Sequence, residues 1–72
     1  MLHAPNFFEI LALNIRSRRL ELGLSQEELA HRVGVDVRYL GGIERRQENP
    51  SLKIIIALAI ALGQTPAELL TG

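Results

Sequence analysis

Cysteine and tryptophan are absent from this 72-residue chain, and aromatic residues make up only 4% of it. Without cysteine there is no disulfide to brace the fold and no thiolate to hold zinc. His3 and His31 are the only imidazoles, so an all-protein zinc site would have to recruit carboxylates. With aromatics this scarce, a core must come from Leu, Ile, Val and Ala, and the 47% apolar content argues for a packed globule over a disordered chain. No apolar run approaches the roughly 18 residues that span a bilayer, and the start lacks a cationic region leading into an apolar stretch and a cleavage site. A cytoplasmic address is expected, with no membrane partner. A chain this short buries only about 60% of the surface its unfolded form exposes, so stability is modest or shared with a partner chain.

Net charge is lacking too, since 8 Lys+Arg balance 8 Asp+Glu. By itself that counts against nucleic acid, because affinity for DNA is largely phosphate neutralisation by Lys and Arg. Distribution matters more than the sum. All basic residues except Lys53 (Arg16, Arg18, Arg19, Arg32, Arg38, Arg45 and Arg46) lie between positions 16 and 46, interleaved with Glu21, Glu27, Glu28, Asp36 and Glu44. Any DNA-facing stripe must therefore come from geometry.

Period-2 segments of convincing length are missing, and signals for helix ends punctuate the chain. Five helices follow, an all-α bundle in one domain from residue 7 to 72 after a short arm, Met1 to Asn6, in which Pro5 disfavours helix before it. The first helix runs from about Phe7 to Leu22 and ends at Gly23 as a left-handed cap. Ser25-Gln26-Glu27-Glu28 is a capping box that starts the second, ending near Val33. Gly34 and Val35 form a tight turn, and Asp36 caps a third helix reaching Glu44 or Arg45. Gln47 to Pro50 is a polar loop; Ser51 caps a fourth helix that ends at Gly63; Thr65-Pro66-Ala67-Glu68 starts a short fifth carrying Leu69 and Leu70.

Two short helices joined by a turn containing Gly, the second free to lie in a major groove, form a helix-turn-helix, here over about residues 25 to 45. The string from Leu22 to Leu52, LGLSQEELAHRVGVDVRYLGGIERRQENPSL, closely resembles the phage repressor and Cro (XRE-like) family of regulators. That family's pattern is met at Gly23 to Gln26, Leu29, Ala30, Gly34, Val35, Ile43, Glu44 and Pro50 to Leu52, and the resemblance covers about residues 11 to 70. It implies that Gln26 at the start of the second helix contacts a phosphate, that Val37 and Arg38 are the first base-reading positions, and that Tyr39 and Arg45 contact the DNA backbone. It also implies an ion pair between Arg19 and the Glu44 of the Ile-Glu dipeptide, tying the first helix to the third.

The chemistry of these positions fits independently. Arg38 lies two residues past the cap, where it projects from the helix end entering the groove and matches guanine O6 and N7 bidentately. Val37 suits a thymine methyl or is filler between helix and core. Asp36 is a plain N-cap or an acceptor for a cytosine amino group, and the cap is the favoured reading. Arg45 and Arg46 are a solvated charge pair or, as favoured here, phosphate contacts at the end of the recognition helix. The sequence departs from the family at Gly41 and Gly42, each costing about 1 kcal/mol relative to Ala in a helix. The missing side chain at Gly42, a base-reading position in the family, either lets the backbone approach DNA closely or leaves the site less fully read. Arg46 stands where the family usually has a Gly with positive φ, so either the loop takes another path or Arg46 is strained.

The fourth helix is apolar all round, which calls for burial all round. The resemblance places Leu52, Ile55, Ile56, Ala59 and Leu62 on the core, leaving Ile54, Ala57, Ile60 and Ala61 for a partner. Phe7 and Phe8 could cover that face, or the same helix of a second subunit; the two-fold homodimer is preferred, with residues of about 51 to 70 forming the interface. Two-fold dimers place recognition helices about 34 Å apart on a pseudo-palindromic site.

A nucleophile with a base, paired carboxylates, a phosphate-cradling Gly loop and a metal constellation are all missing. The expectation is therefore a protein that is no enzyme and needs no cofactor. It would be a homodimeric regulator binding double-stranded operator DNA, bacterial or phage-encoded, of the kind that controls its own promoter, as restriction-modification controller proteins in this family do. The alternative is an antitoxin or other protein-binding module; a toxin or RNA polymerase is the candidate protein partner.

Overall fold

Each helix among the described residues begins where a side-chain oxygen accepts a backbone N–H. In the computed structural model, which describes residues 6–72, Asn6 Oδ1 accepts from the Phe8 N–H at 2.8 Å and starts α1 (Phe7–Glu21). The expected arm, His3 included, lies outside the described residues except for Asn6, which is the cap. Ser25 starts α2 (Gln26–Val33) with a reciprocal pair: the Glu28 N–H donates to Ser25 Oγ at 3.0 Å and the Ser25 N–H donates to Glu28 Oε1 at 2.9 Å. Asp36 caps α3 (Val37–Glu44), Ser51 caps α4 (Leu52–Ala61), and Thr65 with Glu68 repeats the reciprocal box at α5 (Pro66–Leu69). The fold is all-α, with five helices and no strand among the described residues.

Three helices turn off at glycine in the left-handed region: Gly23 (φ 69°), Gly34 (φ 86°) and Gly63 (φ 67°). α3 makes the same left-handed turn without a glycine, at Arg46 with φ 65°. Its N–H donates to the Ile43 carbonyl at 3.0 Å, and the Gln47 N–H reaches the Gly42 carbonyl at 2.8 Å. This is the ordinary glycine-ended helix stop built with an arginine. Of the two paths open to this segment, the structure shows the strained one.

The core is aliphatic. Leu11 and Ile15 of α1, Leu29 of α2, Leu40 of α3, Leu58 of α4, Leu62 just beyond it and Leu69 of α5 are almost wholly enclosed. α3 packs on both α1 and α2, so its inward side is fixed from two directions, while α4 closes the bottom against α2 and α5. Two polar side chains of α1 tie down the C-terminal half. Asn14 Nδ2 donates to the carbonyls of Leu69 (2.8 Å) and Thr71 (2.9 Å). Arg18 Nε donates to the Leu62 carbonyl (3.0 Å), a cation set at the negative end of α4.

The inward face of α4 differs from the expected one. Ile55, Leu58, Ala59 and Leu62 are buried, whereas Leu52 is 67% and Ile56 40% exposed. Leu52, Ile56 and Ile60, spaced by four, form one outward stripe, and Ile54 and Ala61 instead lie half-buried against the core. In a helix apolar all round, the hydrophobic pattern cannot fix rotation; α2 and α5 do that by contact. Phe7 and Phe8 belong to the start of α1, where with Leu52 and Leu70 they line an apolar hollow of about 280 Å³. Ile60 remains 75% exposed.

Candidate nucleic-acid interface

The turn between α2 and α3 is as short as a glycine allows. The Gly34 and Val35 N–H groups both donate to the Ala30 carbonyl, at 2.8 and 3.0 Å, and Asp36 opens the next helix immediately. Leu40 and Ile43 are the buried side of α3. At 3.6 residues per turn, Arg38, Gly41, Gly42 and Arg45 occupy the opposite side, facing away from the core.

Arg38 stands at the head of that side with its side chain 91% exposed. Asp36 Oδ1 accepts twice from it, from the backbone N–H at 2.7 Å and from Nε at 3.3 Å. The side-chain bond from Arg38, followed by the backbone bond, holds the Asp36 carboxyl below its usual range, and the same contact raises the guanidinium. Asp36 is therefore a cap that also aims Arg38, and no cytosine need be present for it to be satisfied. Val37 and Tyr39 are half-buried and pack against the core cluster, leaving part of each at the surface. Arg45 is exposed and its Nε donates to Gln47 Oε1 at 3.2 Å. Arg46 Nη1 lies 3.6 Å from Glu9 Oε1.

Neither glycine of α3 is open. Arg45 folds back over Gly41, where an added Cβ would meet its Nη1 at 3.0 Å; Glu48 lies over Gly42, where a Cβ would come within 2.6 Å of its Cγ. Both glycines are buried. Gly42 is covered by the loop, and the outward surface at this position belongs to Glu48. Nothing in the sequence marks Glu48 for this place, since it depends on the left-handed turn at Arg46.

Beneath this face, Arg19 Nε and Nη2 donate to Glu44 Oε2 and Oε1 at 2.8 and 2.9 Å, with side chains only 9% and 2% exposed. The third arm, Nη1, donates to the Leu24 carbonyl at 2.9 Å, and Gln26 Nε2 donates to Glu44 Oε1 at 3.2 Å. Among the described residues no buried side-chain polar atom lacks a partner. The pair bolts α1, the head of α2 and the tail of α3 together, and removing one partner would leave the other charge buried, at a cost of about 3 to 5 kcal/mol. Gln26 is thus held by the protein on one side while sitting at the start of α2. Arg18 and Arg19, counted among the basic residues of this stretch, are both spent inside the fold.

Among the described residues no group of three His, Asp or Glu side chains is placed to hold a metal, and no helix is long and apolar enough to cross a membrane.

Residues 15–69 match a family model described as helix-turn-helix. The chain is 46% identical over 63 residues to control protein C.SmaI of Serratia marcescens, covering 88% of this chain and 75% of that protein. It superposes with a TM-score of 0.88 on the crystal structure of the hypothetical transcription factor NHTF from Neisseria (37% identity, 99% of this chain, 87% of that one). With the restriction-modification controller protein C.AhdI from Aeromonas hydrophila the TM-score is 0.82 at 45% identity, covering 86% of this chain and 94% of that one. The turn at Gly34, the exposed side of α3 and these relatives agree: the chain belongs to the helix-turn-helix family of DNA-binding transcriptional regulators of the phage repressor and Cro (XRE-like) type.

Proposed function

We propose that the protein is a homodimeric, operator-binding regulator that lays α3 in the major groove of a pseudo-palindromic site, in the manner of a restriction-modification controller acting on its own promoter. The carrying observation is Arg38: a guanidinium exposed at the head of α3, aimed by a carboxylate that also caps the helix. Guanine in the groove offers two acceptors in place of the single Asp36 oxygen, and such a bidentate pair gives about 1 to 3 kcal/mol of base discrimination. Val37, with the part of its surface left outside the core, meets a thymine methyl. Gln26, Tyr39, Arg45 and Arg46 contact phosphates and set the register.

The dimer follows from α4. Leu52, Ile56 and Ile60 form an exposed apolar stripe on a chain whose own core cannot cover it, and Ala57 beside it is small enough to let a second helix approach. Two copies related by a two-fold axis bury that stripe and double the phosphate contacts available to a chain with no net charge.

Selection of bound sequences from random duplex DNA, run in parallel with Arg38→Ala at two salt concentrations, tests this reading. The wild-type protein enriches a two-fold symmetric sequence and binds it less tightly as salt rises; the variant relaxes one base per half-site. If a folded protein enriches no sequence, base reading by α3 is refuted, and the α4 stripe becomes the place to look for a protein partner such as a toxin.

A further inference from the structure

Glu48 belongs to the loop after α3, yet its side chain occupies the space that a side chain on residue 42 would fill. The overlap is steric: a Cβ on Gly42 would lie 2.6 Å from Glu48 Cγ, 3.5 Å from Cβ and 3.9 Å from Cδ. Gly42 is on the outward side of α3, one turn from Arg38. The backbone fixes the arrangement, because the Gln47 and Glu48 N–H groups both donate to the Gly42 carbonyl, at 2.8 and 3.2 Å. That return of the chain requires the left-handed conformation of Arg46. Among the described residues the Glu48 carboxylate has no ion-pair or side-chain hydrogen-bond partner, although Arg45 and Arg46 are near it in sequence.

We propose that Glu48, carried over Gly42 by the Arg46 turn, is a base-discriminating residue of the DNA interface that selects cytosine in each half-site. A carboxylate only accepts hydrogen bonds, and of the groups a base pair presents in the major groove, the cytosine N4 amino group is the donor it pairs with. A phosphate at the same place is repelled, so Glu48 adds selectivity and no general affinity. Gly42 is required because any side chain there would displace the carboxylate. The inference rests on α3 lying in the major groove as proposed above.

The same selection experiment with Glu48→Ala and Gly42→Ala separates the two readings. Glu48 is exposed, so Glu48→Ala folds as the wild type does, which circular dichroism and thermal melting verify. In Glu48→Ala the cytosine preference falls roughly 5- to 150-fold at one symmetric position, distinct from the Arg38 position, while other positions keep theirs. Gly42→Ala weakens the same position by pushing Glu48 aside. Affinity for random duplex DNA is unchanged or raised in Glu48→Ala. If the wild type enriches an operator and Glu48→Ala enriches the same one with every preference intact, or loses affinity evenly across all sequences, the assignment to Glu48 is overturned while operator binding stands. If the wild type enriches nothing, operator binding is overturned first and Glu48 falls with it.

Discussion

At the scale of single residues, Arg46 is the place where the chain departs from its lowest local energy. A non-glycine residue in the left-handed region costs of order 1 kcal/mol or more, and the exposed contact with Glu9 at 3.6 Å returns little of it. Such a conformation persists because the surrounding structure holds it, here two bonds onto the Gly42 carbonyl and one onto Ile43. Arg46→Gly is therefore expected to raise the free energy of unfolding by about 0.5 to 1 kcal/mol in urea titrations. If Arg46 contacts a phosphate as proposed, the same variant binds operator DNA less tightly and evenly across sequences, and the salt slope shrinks by about one. A variant that gained stability and kept its full salt dependence would take Arg46 out of the interface. Arg19 and Glu44 show the opposite case, in which two charges are buried at the protein's expense and their geometry fixes how α3 sits on α1.

At the scale of elements, three helix starts use a carboxylate: Glu28 in the box of α2, Asp36 at the head of α3 and Glu68 in the box of α5. The Glu28 carboxyl is pulled below its ordinary value of 4.5 chiefly by the Ser25 backbone N–H, then by the Ser25 hydroxyl; Glu68 is lowered in the same way by Thr65. Asp36 is lowered from 3.8 by Arg38. A carboxylate with a lower pKa folded than unfolded contributes stability that is complete above the unfolded value and disappears as pH falls through the folded one. The urea midpoint is thus expected to be level from neutrality to about pH 5 and to fall below about pH 4.5. In the double variant Glu28→Gln, Glu68→Gln that fall becomes shallower. An unchanged acid limb in the double variant would assign the loss to other carboxylates. α3 is tied to the same chemistry, because protonating Asp36 both loosens its cap and releases Arg38.

At the scale of the whole molecule, one feature outweighs the rest: a small core with an apolar stripe left outside it. Burial of Leu52, Ile56 and Ile60 between two copies would link folding to association, so thermal stability should rise with protein concentration. Ile60→Lys, at a position 75% exposed in the single chain, leaves the fold of one copy intact. It is expected to give a monomer in sedimentation equilibrium at micromolar concentration, with a concentration-independent melting temperature. Binding to a full two-fold site should drop to the level of a half-site. A dimer that survives Ile60→Lys would place the interface elsewhere, with the apolar hollow beside Phe7 and Phe8 the next surface to alter.

Much of this was legible from local chemistry. Cap residues, left-handed glycines and proline act over four or five positions, so Ser25, Asp36, Ser51 and Thr65 locate four of the five helix starts without reference to anything distant, and the close spacing of α2 and α3 follows. Arg38 as the exposed head of α3 follows from the same arithmetic. Three features depended on groups far apart in the chain. The rotation of α4 was open because every face of it is apolar, and only contact with α2 and α5 turned Leu58 inward and Leu52 and Ile56 outward. Gly41 and Gly42 read as gaps in the recognition helix, but folding fills both, one with Arg45 and one with Glu48. That outcome was decided by a backbone angle at Arg46 that an arginine adopts only under tertiary constraint. Local hydrogen bonding and turn preference thus determined where the helices are; packing between distant residues decided which of their faces are available to DNA.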